Sequence, residues 1–321
     1  MKTAASIAVI VLGVSALPAL AADLGKMVTK APVAAAAAPS PFDLAFGGGI
    51  ANDYIFRGIT QSNHKPSVNA YFEPRYNVTP DLQLYAGVAG ESIDFPNRAA
   101  AEVDFYGGFR PTFGKLALDV GVWYYYYPGG QTYNGASAAN CTNGFIAANG
   151  ACNTLKGDVS FYEIYAKPTY TFDDYVTAGA NVFYSPSWLN SGAYGTYASG
   201  TLKLTAPANN ILPKDVGFSV SGELGRYWLG TTDAFYGNVK YPDYTTWNVG
   251  VDFTYKVFTL DLRYSDTDLS KADCNVLTSD QTASFNPSNI TSINPSGLGS
   301  KWCGAAFIAK LSADLTLGSL K

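Results

Sequence analysis

The sequence contains few charged side chains and few of the residues that usually build metal sites and catalytic triads. Of its 321 residues, 14% are charged, against roughly 25% in an ordinary soluble domain. A single His excludes a histidine-based metal cluster and leaves no spare for a conventional triad. The net charge is −4 without a basic run, which argues against binding to nucleic-acid phosphates. We expect no metal, no cofactor, no catalytic residue and no nucleic-acid partner.

Long hydrophobic runs are also absent. A membrane-spanning helix needs about 20 apolar residues, and no segment beyond the N-terminal region supplies them. That region has Lys2, the apolar run Ala4–Val14 and the small-x-small triplet Ala19–Ala21, which is the pattern of a secretory signal peptide. We predict a signal peptide over 1–21 and an Ala/Pro-rich periplasmic linker over 22–41. The alternative is an N-terminal membrane anchor.

Aromatic residues and a two-residue hydrophobic period are abundant. Aromatics make up 14% of the chain, with 23 Tyr and 18 Phe. Over 116–126 and 247–255, apolar residues alternate with polar or small ones, as in a strand with two different faces. The predicted strands are 43–58, 66–78, 81–93, 102–113, 115–127, 158–172, 174–185, 196–206, 215–228, 243–255, 257–267 and 302–316.

The connections between these strands alternate in length. Tight turns are predicted at Thr79–Asp81, Gly114–Lys115, Asp173–Asp174 and Lys256, with a slightly longer one at 207–214. The longer connections are 59–65, 94–101, 128–157, 186–195, 229–242 and 268–301. This asymmetry is typical of bacterial outer-membrane barrels, which have short periplasmic turns and long extracellular loops. We predict an all-β, transmembrane antiparallel β-barrel of about 12 strands over 42–321, in a Gram-negative outer membrane. A soluble β-sandwich is the alternative, although its strands are usually shorter.

Nearly all charges within the predicted strands have the same parity, and the opposite positions are apolar. In a large membrane barrel the charged face lines the lumen and the apolar face contacts lipid. The predicted pore-lining residues are Asp53, Arg57, Glu73, Arg75, Glu91, Asp104, Arg110, Asp119, Glu163, Lys167, Lys203, Glu223, Asp252, Asp261, Arg263 and Lys310.

The four cysteines fall into two local pairs. Cys141 and Cys152 lie in one Gly/Asn-rich connection, and Cys274 and Cys303 flank another. An even number of cysteines in an exported chain favours disulfides. Four cysteines allow three pairings, of which we predict the local one, Cys141–Cys152 with Cys274–Cys303, at the long-loop end.

The segment Asn52–Ser62, with the sequence NDYIFRGITQS, resembles the opening signature of the TorF-type porins, a proteobacterial family of conserved hypothetical outer-membrane proteins. The similarity continues in short runs through most of the predicted barrel, among them Glu102–Gly108 and Tyr264–Asp268. The resemblance implies a transport-type barrel. It supplies no established substrate and no catalytic residues.

We therefore expect a porin-like channel for passive diffusion of small polar solutes or ions, in contact with outer-membrane lipid and with homo-oligomerisation left open. Twelve strands lie between the eight whose lumen is filled by side chains and the 16–18 that leave an open channel. The pore should thus be narrow or partly occluded by inward loops. Two alternatives remain: a non-conducting adhesion or structural barrel that binds ligands with its extracellular loops, and an outer-membrane hydrolase using His64.

Overall fold

The structure is a computed structural model dominated by twelve long strands. It describes residues 13–14, 27–28, 41–133, 154–207, 212–213 and 215–320. Within these, Gly13–Val14 and Met27–Val28 form a two-residue antiparallel pair. The predicted signal peptide and linker lie almost entirely outside the described residues, as do Cys141 and Cys152, so the signal peptide, the linker and the Cys141–Cys152 disulfide stay predictions.

The twelve strands form one closed sheet. Their bounds are β1 Phe42–Ala51, β2 Ser67–Thr79, β3 Leu82–Glu91, β4 Glu102–Phe113, β5 Leu116–Tyr126, β6 Phe161–Thr171, β7 Val176–Ser185, β8 Gly195–Thr205, β9 Val216–Leu229, β10 Tyr244–Tyr255, β11 Phe258–Thr267 and β12 Ala306–Thr316. Every neighbouring pair is antiparallel, and β12 pairs with β1 from Lys310–Ala51 to Thr316–Ala45. The predicted twelve-stranded antiparallel barrel is confirmed.

The first and last strands are shorter than predicted. β1 ends at Ala51 rather than at residue 58, because the chain then folds into a small hairpin of Ile55–Phe56 and Ile59–Thr60. The turn of this hairpin uses left-handed backbone, with φ of 47° at Arg57 and 81° at Gly58, which a strand cannot contain. Asp53 and Arg57 therefore lie in a loop and not on the wall of strand one, where the parity argument placed them.

The two faces of the wall differ sharply in polarity. Along β2, Phe72 is 49% exposed whereas its neighbour Glu73 is fully buried. The same alternation places Phe105, Ile164 and Val249 outside. An apolar exterior and a closed sheet without free edges are what a bilayer requires. The protein is thus a transmembrane β-barrel of the bacterial outer membrane.

The connections at the two ends of the barrel have the predicted asymmetry. At one end, two to four residues join β2 to β3, β4 to β5, β6 to β7 and β10 to β11. At the other end lie the longer loops, which include the 3₁₀ turns Trp188–Asn190, Ala234–Tyr236 and Pro287–Asn289. A last 3₁₀ turn, Leu317–Leu320, follows β12. In the described part of the chain, no helix has the length and apolarity needed to cross a membrane.

The loop between β11 and β12 has structure of its own. Ser270 caps helix α1, Lys271–Thr278, by accepting a hydrogen bond from the backbone N–H of Asp273. Further along the loop, Ser284–Phe285 pairs with Leu298–Gly299. The predicted disulfide Cys274–Cys303 is present and joins α1 to the residues just before β12. Because this bond holds Cys303 in the loop, β12 begins at Ala306 and not at residue 302.

Reduction of Cys274–Cys303 should loosen this loop without opening the barrel. The bond closes a segment with a sequence separation of 29, for which loop entropy corresponds to roughly 3–4 kcal/mol in the chain-entropy description. The strands close without it. We expect dithiothreitol to make the loop sensitive to protease while the barrel still resists SDS until heated. Loss of the SDS-resistant form on reduction would contradict this.

Candidate functional site in the barrel lumen

The lumen contains the charged residues singled out by parity. Fourteen of the predicted residues lie on the strands β2 to β12, and Asp53 and Arg57 reach the lumen from the loop after β1. Thirteen are buried, and the lysines Lys167, Lys203 and Lys310 are half-buried. The structure does not bring all of them together. It divides most of them into four groups along the lumen.

The first group is an ion-pair network on β2, β4, β5 and β6. Arg110 binds Glu73 through two hydrogen bonds, from Nη1 to Oε1 at 2.8 Å and from Nη2 to Oε2 at 3.1 Å. Arg75 Nε donates to the same carboxylate at 2.6 Å. Asp119 in turn accepts from Arg110 Nε at 3.3 Å and lies 3.4 Å from Lys167 Nζ. Opposite charges on these strands thus compensate one another, so the network adds little net field.

The second group is built around Arg57. We call residues 52–66 the inward loop, because the hairpin at its centre enters the lumen. The Arg57 guanidinium donates to both oxygens of Glu163 on β6, at 2.7 and 2.8 Å. Four aromatic rings surround it with centroids 4.5–4.9 Å from Cζ: Phe56, Phe183, Tyr197 and Tyr227. This cage and the fork-like pairing suit the planar cation.

A glycine is required at position 58, next to Arg57, both by the space around it and by its backbone conformation. Its φ of 81° is left-handed, and a Cβ there would lie 2.2 Å from Thr267 Cγ2 and 2.6 Å from Thr246 Oγ1. Tyr244 also donates a hydrogen bond to the carbonyl of Arg57 at 3.1 Å. The tip of the inward loop is therefore seated against β10 and β11, while the Arg57 side chain reaches Glu163 on β6.

A layer of large aromatic side chains fills the lumen at this level. Trp123, Tyr125, Tyr227 and Tyr244 are at most 1% exposed, and Trp123 stacks on Tyr106 with centroids 4.1 Å apart. These aromatic residues are not among the predicted pore-lining residues. Their strand parity, which they share with the lumen charges, was the available signal. Together with the inward loop they fill much of the lumen at this level.

The third group lies on β9 to β11. Arg263 donates to Asp261 Oδ2 at 3.0 Å, to Asn248 at 2.6 Å and to Ser221 at 2.8 Å. A cavity of about 50 Å³ lies beside Asp261 and Arg263 and is also lined by Lys310. The fourth group is a cluster of carboxylates, in which Glu91 and Asp104 meet Glu102, a residue that the sequence analysis did not select.

Outside the membrane-spanning strands, His64 and Asp53 form a polar cluster in the inward loop. His64 Nδ1 lies 2.7 Å from Asp53 Oδ2, while Thr60 and Ser62 donate to Asp53 Oδ1 at 2.5 and 3.0 Å. The other ring nitrogen of His64 faces the carbonyl of Lys301 at 3.3 Å. Neither nitrogen contacts a hydroxyl or thiol nucleophile in the described part of the chain. A hydrolase would need such a pair.

The hydrogen bond that His64 donates to the Asp53 carboxylate, opposed by partial burial, raises the pKa of His64 above its usual value. We expect NMR titration of this lone histidine, in protein without a histidine tag, to give a pKa above about 6.5. Because the folded pKa is raised, the imidazolium contact stabilises the inward loop at acidic pH, and this contribution is lost as pH rises through the raised pKa. Asp53→Asn should lower the measured pKa. An unchanged value in that variant would contradict the assignment.

Comparison with solved structures finds similarity to outer-membrane proteins. OmpT, an outer membrane protein of Vibrio cholerae, is 11% identical, with 86% of this chain and 98% of that chain covered at a TM-score of 0.34. The NanC porin is 10% identical, with 84% and 97% covered at a TM-score of 0.41. LpxR from Salmonella typhimurium is 12% identical, with 85% and 99% covered at a TM-score of 0.37. Likeness at this level carries no information about function. No curated protein matches the sequence.

A protein family does match, over residues 35–291. This segment includes the inward loop and the strands β1 to β11. The narrower identification with TorF-type porins stays a prediction, because the match does not test it. Since the family match covers most of the sequence, the chain belongs to the family described as a bacterial protein of unknown function (Gcw_chp).

Proposed function

We propose that this barrel is a narrow channel for passive diffusion of small polar solutes or ions, and that the inward loop gates it. The observation that carries the proposal is the way in which the inward loop occupies the lumen. The loop tip is attached through a charge-assisted pair, Arg57–Glu163, on the lumen side of the wall. Water can replace such polar contacts when the loop leaves, whereas wall side chains cannot leave.

The polar lumen supports the same proposal. Charged groups occur on most strands, from Glu73 and Arg110 on one side to Asp252 and Arg263 on the other. A barrel that only anchored extracellular loops would not require a charged lumen. The acids slightly outnumber the bases among the predicted residues, and acidic rings favour cations. The proposed channel is therefore weakly cation-selective.

Planar-bilayer recording tests the proposal. Refolded wild-type protein should give small, intermittent conductance steps, since the loop closes the lumen most of the time. Reversal potentials across a KCl gradient should indicate weak cation preference that fades at high salt, where screening is short-ranged. Clear anion preference would contradict the assignment of lumen charges. Silence of both the wild type and variants with a detached inward loop would reject the channel.

The second candidate is a non-conducting barrel whose extracellular loops bind a ligand. The specific observation in its favour is the fully buried aromatic layer of Trp123, Tyr125, Tyr227 and Tyr244. These rings belong to the wall and would still narrow the lumen after the loop had moved. The bilayer experiment separates the two candidates, because only the channel responds to detachment of the loop.

A further inference from the structure

Three buried carboxylates meet at the extracellular ends of β3 and β4. Glu91 is the last residue of β3, and Glu102 and Asp104 lie at the beginning of β4. One oxygen of each side chain lies within 4.8 Å of an oxygen of both others. The three residues are 2–3% exposed. Glu91 and Glu102 are direct cross-strand partners, an arrangement in which like charges destabilise a sheet.

Three of the six oxygens of this cluster have no hydrogen-bond donor among the described residues. Both oxygens of Glu91 and Oδ1 of Asp104 are buried without a partner among the described residues. Glu102 differs, since its two oxygens accept hydrogen bonds of 2.7 Å from the hydroxyls of Tyr54 and Tyr127. Glu91 is therefore a nearly fully buried carboxylate that points into the cluster with neither oxygen engaged. Such a group calls for a positively charged partner.

The surrounding residues do not supply enough positive charge. No Lys or Arg in the described part of the chain forms an ion pair with any of the three carboxylates. Lys310 lies close enough to interact electrostatically with Glu91, but one ammonium group cannot balance three carboxylates. The Arg57 guanidinium is committed to Glu163. This cluster therefore differs from the Glu73 network, where arginines already provide the compensation.

We propose that Glu91, Glu102 and Asp104 bind a divalent cation, with Ca²⁺ as the ion of best fit, at the extracellular mouth of the lumen. Carboxylate oxygens are the ligands of hard cations, and Ca²⁺ binds them at about 2.3–2.6 Å. Ligands on opposite sides of one Ca²⁺ are thus up to roughly 5 Å apart, which accommodates the observed spacing. Mg²⁺ demands shorter distances and a stricter octahedron.

The remaining features of the cluster suit this role. The two free oxygens of Glu91 allow bidentate ligation, and water would complete the six to eight ligands that are usual for Ca²⁺. Tyr54 and Tyr127 hold Glu102 in place, as outer-shell donors hold ligating carboxylates elsewhere. Tyr54 belongs to the inward loop and Glu91 borders the loop 92–101. The ion would therefore join two extracellular loops at the barrel rim, whether or not the barrel conducts.

Terbium luminescence tests the site directly. The full barrel is refolded in detergent free of lipopolysaccharide, stripped with EDTA and titrated with Tb³⁺, which occupies Ca²⁺ sites and is excited through nearby tryptophan. Trp123 lies beside Asp104. We expect saturable luminescence that Ca²⁺ displaces more effectively than Mg²⁺. Trp123→Phe should remove most of the luminescence.

Variants of single ligands locate the site. Glu91→Gln and Asp104→Asn should each weaken Ca²⁺ binding by at least about tenfold, since loss of even an outer-shell partner costs roughly 10–100-fold. The matched control is Asp252→Asn, a buried lumen carboxylate that accepts from Ser219 outside the cluster. It should bind as the wild type does. The heat-dependent shift in SDS gels verifies that each variant is folded.

Three results would overturn the proposal. One is the absence of Ca²⁺-displaceable luminescence in the folded wild type. Another is an equal loss of Ca²⁺ binding in Asp252→Asn and Glu91→Gln. The third is that Glu91→Gln stabilises the barrel against heat by the same amount in Ca²⁺ and in EDTA, which would mean that shared protons, and not a metal ion, neutralise the three carboxylates.

Discussion

Replacing Arg57 with alanine should raise the open probability of the barrel by about 100-fold or more. In the closed conformation this change leaves Glu163, which is fully buried, without its bidentate partner. Removing one member of a buried ion pair costs about 3–5 kcal/mol, and every 1.4 kcal/mol is about tenfold in an equilibrium constant. In an open lumen, water would solvate the same carboxylate. The variant therefore penalises the closed conformation selectively, and single-channel recording measures the change.

The partner and a matched control make this result specific. Glu163→Gln keeps the shape of the side chain and should open the channel as well, because the caged Arg57 then lacks its counter-charge. Arg226 provides the control, since it forms a 3.4 Å pair with Asp268 at an exposed position, where such pairs contribute little. Arg226→Ala should conduct like the wild type. If all three variants leave the recordings unchanged, the inward loop is a permanent closure and the non-conducting candidate is favoured.

The wall of the barrel could be predicted because its two faces meet different solvents. The alternation of Phe72 with Glu73, or of Val249 with Asn248, is imposed by lipid on one side and the lumen on the other. The disulfide Cys274–Cys303 could be predicted from the sequence for another reason, since both residues flank one connection. Neither prediction required knowledge of a distant contact.

The inward course of the chain after β1 could not be predicted in the same way. Residues 52–58 continue β1 without an obvious break in apolar content, so strand one was extended through Asp53 and Arg57. The chain leaves the wall after Ala51, and the Arg57 that follows pairs with Glu163 over a sequence separation of 106. Such a pair has no local signal. Gly58 was the one hint, because its left-handed backbone marks a turn.

The environment of the carboxylate cluster could not be predicted from the sequence either. Parity placed Glu91 and Asp104 on the lumen face, yet it could not tell a neutralised charge from an isolated one. Glu73 and Glu91 look alike in the sequence, each within an alternating strand. The register distinguishes them, because it sets Glu91 directly opposite Glu102 and brings Glu73 within reach of Arg110 and Arg75.

The Glu73 network should dominate the stability of the wall. Glu73 is fully buried and holds two arginines, so Glu73→Ala leaves both cations buried without their shared counter-charge. We expect the free energy of unfolding to fall by about 3–5 kcal/mol, measured by urea titration of the refolded barrel in detergent. Asp252→Asn should cost no more than about 1 kcal/mol, as expected for one hydrogen bond from Ser219.

A double variant separates charge compensation from simple loss of packing. If Glu73 matters because it neutralises the arginines, then Arg110→Met should partly rescue Glu73→Ala, since the remaining cation, Arg75, still has Asp43 within 3.8 Å. The double variant should therefore be more stable than Glu73→Ala alone, as paired removal of buried ions is often nearly neutral. Additive losses would indicate that the two side chains contribute independently through packing. In that case the lumen network would not be the source of wall stability.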